Sequence, residues 1–176
     1  MFQTVTSRIC LIVMAAVMVV PTMSGQQLPA ITAAPLPAQI VAARKVFISN
    51  AGTDVAAQAT FKRGGEPDQA YNHFYSAIQT WGRYEIVATP GEADLVLELS
   101  FTAPTYYDGN VAIYEPQFGL RILDAKTHFL LWSLNEPVEG AFRKATWVKN
   151  FDQGLRALMD DLKKLSLPAG VDPSKK

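Results

Sequence analysis

Residues Ala93 to Phe101 read ADLVLELSF. Leu95, Leu97, Leu99 and Phe101 fall on one side of an extended chain, and Asp94, Val96, Glu98 and Ser100 on the other. This alternation is that of a strand with one buried and one wet face, so helices should cover only one side of its sheet. Upstream, Tyr84 to Ala88 (YEIVA) reads as another strand, with Thr89, Pro90 and Gly91 as the turn between the two. Farther upstream, Lys45 to Ser49 (KVFIS) sets Val46 and Ile48 on one face of a first strand. Downstream, Gln117 to Leu123 and His128 to Leu134 pair as a hairpin around Asp124–Ala125–Lys126–Thr127, where Asp124 can bond its own turn backbone. Leu130, Trp132 and Leu134 alternate toward the core.

Helical spacing separates these strands. Pro67 suits a first helical position, Asp68 the first turn and Gly82 the stop. Between them Ala70, Phe74, Ala77, Ile78 and Trp81 form one apolar stripe. A shorter helix is possible over Val55–Phe61 in the long connection before it. Asn150, with Gln153 three residues on, resembles a capping box and opens a last helix reaching about Leu165. Phe151, Leu155, Leu158, Met159, Leu162 and Leu165 are its buried stripe, and Asp160, Asp161, Lys163 and Lys164 its wet face. The order β-α-β-β-β-β-α predicts an α+β fold: a two-layer sandwich with a mixed sheet of about five strands and two main helices on one face. The first two strands should be parallel through a right-handed crossover and the later ones antiparallel.

The ends of the chain read differently. Arg8, the apolar run Ile9–Val20, Pro21 and the small residues Thr22, Ser24 and Gly25 describe a secretory signal over residues 1–25, cleaved after Ser24 or Gly25. The other reading is a short uncleaved anchor, for which the run is brief. Residues 26–43 are rich in Pro and Ala and read as a linker. Residues 44–166 are then a single α+β domain and residues 167–176 a disordered tail. The expected location is the periplasm or outside the cell, with no stable membrane span once the signal is gone.

With 176 residues, 49% apolar and 18% charged, the chain has enough core to fold. Sixteen basic residues balance sixteen acidic ones, which excludes a strongly basic nucleic-acid binder. The single cysteine, Cys10, excludes a disulfide framework and a cysteine-rich zinc site. His73 and His128 have no third ligand at a metal-binding spacing, so no metal or cofactor is expected. Glu85 and Glu98 could be cross-strand neighbours, which would raise one pKa; alternatively both lie on the wet face of the sheet. The candidate binding residues are Tyr106, Tyr107, Asp108, Asn110 and Tyr114, with Trp147. Asp108–Gly109–Asn110 is a turn signal between tyrosines, which suit recognition. That stretch is either an exposed loop or an edge strand over Val111–Tyr114. Trp147 is either a staple against the last helix or an exposed contact.

The opening KVFI strand, TWGRYEIV, EADLVLEL, LRILDAKTHFLLWS and a closing amphipathic helix together resemble a group of exported bacterial envelope domains. This group includes the TolB amino-terminal domain, the curli-secretion lipoprotein and the penicillin-binding-protein activator lipoproteins. LRILDAKTHFLLW also resembles a lipoprotein domain of unknown function. The resemblance covers roughly residues 44–165. It implies a non-enzymatic role in envelope assembly or regulation, with another envelope protein as partner. Those relatives are often lipidated, whereas Cys10 lies inside the apolar run and not after a cleavage box. Two rival functions are a glycan- or solute-binding module using the tyrosines and a small carboxylate-dependent hydrolase.

Overall fold

The structure, a computed structural model, describes residues 35–61 and 68–167. The expected signal, Pro67, the first half of the linker (residues 26–34) and all but the first residue of the tail lie outside the described residues. The described elements are α1 (Ala38–Ala42), β1 (Lys45–Thr53), α2 (Val55–Phe61), α3 (Gln69–Trp81), β2 (Glu85–Ile86), β3 (Leu95–Thr102), β4 (Thr105–Asp108), β5 (Val111–Tyr114), β6 (Gln117–Asp124), β7 (Leu130–Pro137) and α4 (Lys144–Leu165). Five strands form one mixed sheet in the order β2-β1-β3-β6-β7, while β4 and β5 pair separately. The α+β fold class read from the sequence therefore holds.

Alternation decides the layers. Leu95, Leu97, Leu99 and Phe101 are at most 1% exposed, beside Val46 and Ile48 of β1 and Phe118, Leu120 and Ile122 of β6. Phe74 and Ile78 of α3 and Phe151, Leu158 and Leu162 of α4 close the same core. The opposite face carries Glu98, whose carboxylate accepts from Arg121 across the β3–β6 ladder at 2.6 Å, and a smaller apolar cluster of Ala93, Val96 and Ala125 with Phe47, Val87 and Leu123 packed against it. Gly82 ends α3 at φ +66°, its N–H reaching the Ile78 carbonyl, a conformation open to glycine without steric cost.

Several expectations are corrected. β3 runs parallel to β1, as β2 does, and the antiparallel pairs of the sheet are β3–β6 and β6–β7. Periodicity reports which face a residue takes, not which strand it pairs with. Glu85 and Glu98 are not neighbours, because β1 lies between their strands; Glu85 instead faces Lys45 at 3.6 Å. β7 is an edge strand, so Trp132 and Leu134 are half-buried and Leu130 is 49% exposed. α4 begins at Lys144, not at Asn150. Asn150 lies within the helix, where its side-chain amide donates to the Glu139 carbonyl at 2.9 Å. The chain also joins the fold before residue 44: Ile40 in α1 is fully buried, Ala43 nearly so, and Arg83 donates to the Val41 carbonyl.

The link from β2 to β3 crosses the beginning of β1 and is tied there by Asp94. Its carboxylate accepts from the backbone N–H groups of Arg44 and Lys45 at 2.8 and 2.9 Å. These two bonds hold the Asp94 carboxyl below the usual carboxylate range. A depressed folded-state pKa adds stability above the unfolded value of about 3.9 and loses it as pH falls through the folded value. Asp94→Asn should therefore lower stability near neutral pH and flatten its fall below about pH 4. Urea midpoints from pH 2 to pH 7 check this; coincident curves for the two proteins would show that the bonds contribute nothing.

Candidate functional site

The end of the sheet where β1 and β3 finish and β6 begins carries the candidate residues. Asp54 organises it. One carboxylate oxygen accepts from the Ala57 N–H at 2.6 Å, which starts α2, and the other from the Ala103 N–H at 2.9 Å, just past β3. The side chain thus caps a helix and fixes the exit of the central strand. Beyond Pro104 the chain makes the β4–β5 ribbon, with Thr105 opposite Tyr114, Tyr106 opposite Ile113, Tyr107 opposite Ala112 and Asp108 opposite Val111. Gly109 at φ +59° begins the two-residue loop, as a type II′ hairpin requires.

The tyrosine stretch is therefore neither a loop nor an edge of the main sheet, but a separate ribbon. Both of its strands are largely exposed, so burial left no alternation strong enough to assign them. Cross-strand pairing puts Tyr107 and Tyr114 on one face and Tyr106 and Asp108 on the other. Tyr106, Tyr107 and Tyr114 are 46%, 74% and 54% exposed. The Tyr106 hydroxyl donates to Glu115 at 2.9 Å, and that carboxylate holds the phenol above its ordinary pKa. Asp108 and Asn110 are exposed at the tip.

Trp147 is not an exposed contact. It sits in the first turn of α4, 3% exposed, with its ring 6.3 Å from those of Phe101 and Phe151. It nonetheless shares a cavity with Tyr114. A space of about 650 Å³ is lined by Val55, Ala56 and Ala59 of α2, Tyr114 and Pro116 after the ribbon, Gly140 and Ala141 before α4, and Trp147. The wall before α4 is held by the Val138 N–H donating to the Pro116 carbonyl at 2.7 Å and by the Asn150 bond to Glu139. Tyr106, Tyr107, Asp108 and Asn110 do not line this cavity.

Sequence reasoning missed two exposed residues of this end, Val55 at 82% and Phe142 at 97% exposure. A signal existed for Phe142, a lone large apolar residue amid Glu139, Gly140, Arg143 and Lys144. The cavity wall is chiefly apolar, and among the described residues no group of three or more His, Cys, Asp or Glu could hold a metal. His73 lies on α3 beside Asp152, and His128 lies in the β6–β7 turn at φ +60°. In that turn Asp124 bonds its own backbone as the sequence implied, accepting from the N–H groups of Lys126 and Thr127.

No protein-family model matches the chain, and no curated protein matches it. Solved structures do. A neuraminyllactose-binding hemagglutinin homolog from Helicobacter pylori is 9% identical, with a TM-score of 0.45 over 69% of this chain and 84% of that one. A lipoprotein from Neisseria meningitidis is 14% identical, TM-score 0.37, over 69% of this chain and 99% of its own. The LpoB C-terminal domain from Salmonella enterica is 15% identical, TM-score 0.36, over 55% of this chain and 83% of its own. Bacterial lipoproteins thus stand among the structural neighbours. At these identities the likeness concerns the course of the chain alone. Among the described residues, no helix is long and apolar enough to cross a membrane.

Proposed function

We propose that this chain is an exported, non-catalytic envelope protein that binds another envelope protein through the sheet end bearing the tyrosine ribbon. One observation carries the reading: large apolar side chains left in water gather there. Tyr114 and Val55 line the apolar cavity, Phe142 follows its wall residue Ala141, and Tyr106, Tyr107 and Val111 stand exposed on the ribbon that carries Tyr114. Exposed aromatic residues rimming an apolar depression are the makings of an interaction site. The export half rests on Arg8 and the apolar run Ile9–Val20. A second reading, a small apolar solute held between Tyr114 and Trp147, draws on the cavity volume, which is in the range of ligand pockets.

Photo-crosslinking in living cells tests the first reading. A crosslinking side chain at Tyr107 or Phe142 should give a discrete protein adduct, and one at Lys126 in the β6–β7 turn should not. Changing Tyr106, Tyr107 and Tyr114 together to Ser should reduce the Phe142 adduct at least about tenfold while unfolding stays cooperative, since all three rings are exposed. An undiminished adduct, or equal adducts from Lys126, places the contact elsewhere. Binding of small solutes with no protein adduct favours the second reading.

A further inference from the structure

A second cavity, also of about 650 Å³, lies on the seam between α3 and α4, away from the tyrosine ribbon. The two helices run in the same direction: His73 faces Asp152 toward their starts, and past their ends the Tyr84 and Ser166 hydroxyls meet at 2.7 Å. Ala77, Trp81 and Met159 are its apolar lining, and Arg156, Lys163 and the Asp160 carboxylate its charged lining. The indole is braced edge-on by Tyr84 at 5.2 Å, and Met159 is 4% exposed.

The charges of this seam pair off, with one exception. Asp152 faces His73 at 3.6 Å, Asp160 accepts from Lys163 at 3.2 Å, and Asp161 accepts from Lys164 at 2.7 Å. Arg156 stands one helical turn from Asp152 and one from Asp160, the positions from which a carboxylate could reach it. Both carboxylates are engaged elsewhere, and among the described residues Arg156 has no ion-pair partner. The hydroxyls of Ser76 and Thr80, which also line the cavity, donate to the carbonyls of Asn72 and Ser76 at 2.9 and 2.8 Å. Their protons are committed to the helix, so the donors this cavity offers are the guanidinium, the Trp81 indole N–H and the Lys163 ammonium protons not given to Asp160.

We propose that the α3–α4 cavity binds an anionic amphiphile, a molecule with one carboxylate or phosphate head and an apolar body. Arg156 takes the head in a charge-assisted, two-pronged contact, with the Lys163 charge alongside. The body covers Trp81, Met159 and Ala77 and removes their surface from water. This site is separate from the ribbon, and the proposal does not depend on how the ribbon is used.

Isothermal titration calorimetry with dodecyl phosphate and dodecanoate, each below its micelle-forming concentration, tests the proposal. The expected result is saturable one-to-one binding. Arg156→Gln should weaken it about tenfold, and Lys149→Gln, which removes an exposed charge of α4 outside the cavity, should leave it unchanged. The tighter of the two ligands tells whether the head is a phosphate or a carboxylate. Equal affinity for dodecyl maltoside, which has the chain without the charge, overturns the proposal. So does equal affinity for inorganic phosphate, which has the charge without the chain. Absence of saturable binding, or an equal loss in both variants, overturns it as well. Amide shifts on titration should fall on residues 76–81 and 156–163; shifts confined to the ribbon would place the ligand elsewhere.

Discussion

Replacing Phe151 by alanine should lower the free energy of unfolding by about 3–5 kcal/mol. The ring is 1% exposed and joins an aromatic cluster whose other members come from different elements. Its centroid lies 4.9 Å from Phe118 of β6, 5.6 Å from Phe101 of β3 and 6.3 Å from Trp147 one turn earlier on α4. His73 of α3 meets it edge-on at 6.0 Å. Phe101 and Phe118 are register partners on two inner strands, each flanked by paired strands on both sides, so neither backbone moves inward freely to fill the void. The void therefore persists and its cost adds to the lost transfer energy. Urea unfolding followed by circular dichroism checks this. A loss below about 1.5 kcal/mol would show that the cluster repacks around the missing ring.

Gly154→Ala should destabilise the protein, against the usual sign. In an exposed helix interior that change gains about 1 kcal/mol. Here an added methyl would lie 2.9 Å from Cγ2 of Val138, 3.3 Å from Cε2 of Phe118 and 3.3 Å from the Pro137 carbonyl oxygen. Val138 is 3% exposed and its branched side chain has little rotamer freedom. The carbonyl belongs to the end of β7, and the next residue is bonded to Pro116. Nothing at hand yields cheaply, so α4 must rise off the sheet. The expected loss is about 1–3 kcal/mol, read as a melting temperature lower by roughly 5–10 °C. An increase would show that α4 can shift without cost. Gly154 is thus a packing residue that lets α4 lie close to the end of β7.

What the sequence revealed depended on how sharply burial divides an element. β3 was plain because its faces differ: Leu97 is sealed beneath the helices while Glu98 meets Arg121. The stripe of α4 was equally plain, yet its start was misplaced by six residues. Asn150 followed by Gln153 mimics a cap, but the amide of Asn150 is used in a tertiary bond to Glu139 that no local pattern encodes. That shift carries Trp147 from a presumed flank into the helix and the core. The β4–β5 ribbon announced its turn through Asp108–Gly109–Asn110, but its exposed strands gave no sign of standing apart from the sheet. Ile40 was missed because one buried residue just after Pro35 and Pro37 makes no period. The cavity shared by Tyr114 and Trp147 is assembled from segments far apart in the chain, and only the fold brings them together.

The place of β1 has a consequence for the birth of the molecule. Its two sheet neighbours, β2 and β3, both come later in the chain, β3 only at Leu95–Thr102. A nascent chain offers β1 first and must carry it unpaired until those residues follow. The β6–β7 hairpin, by contrast, closes through a short turn and needs no earlier segment. The first strand made is therefore among the last to be sealed, because its long loops must close before any ladder bond rewards them. Val46, Phe47 and Ile48 stay available to chaperones throughout that interval. If the chain is exported as proposed, such an order keeps its sheet from locking while the chain is still being threaded.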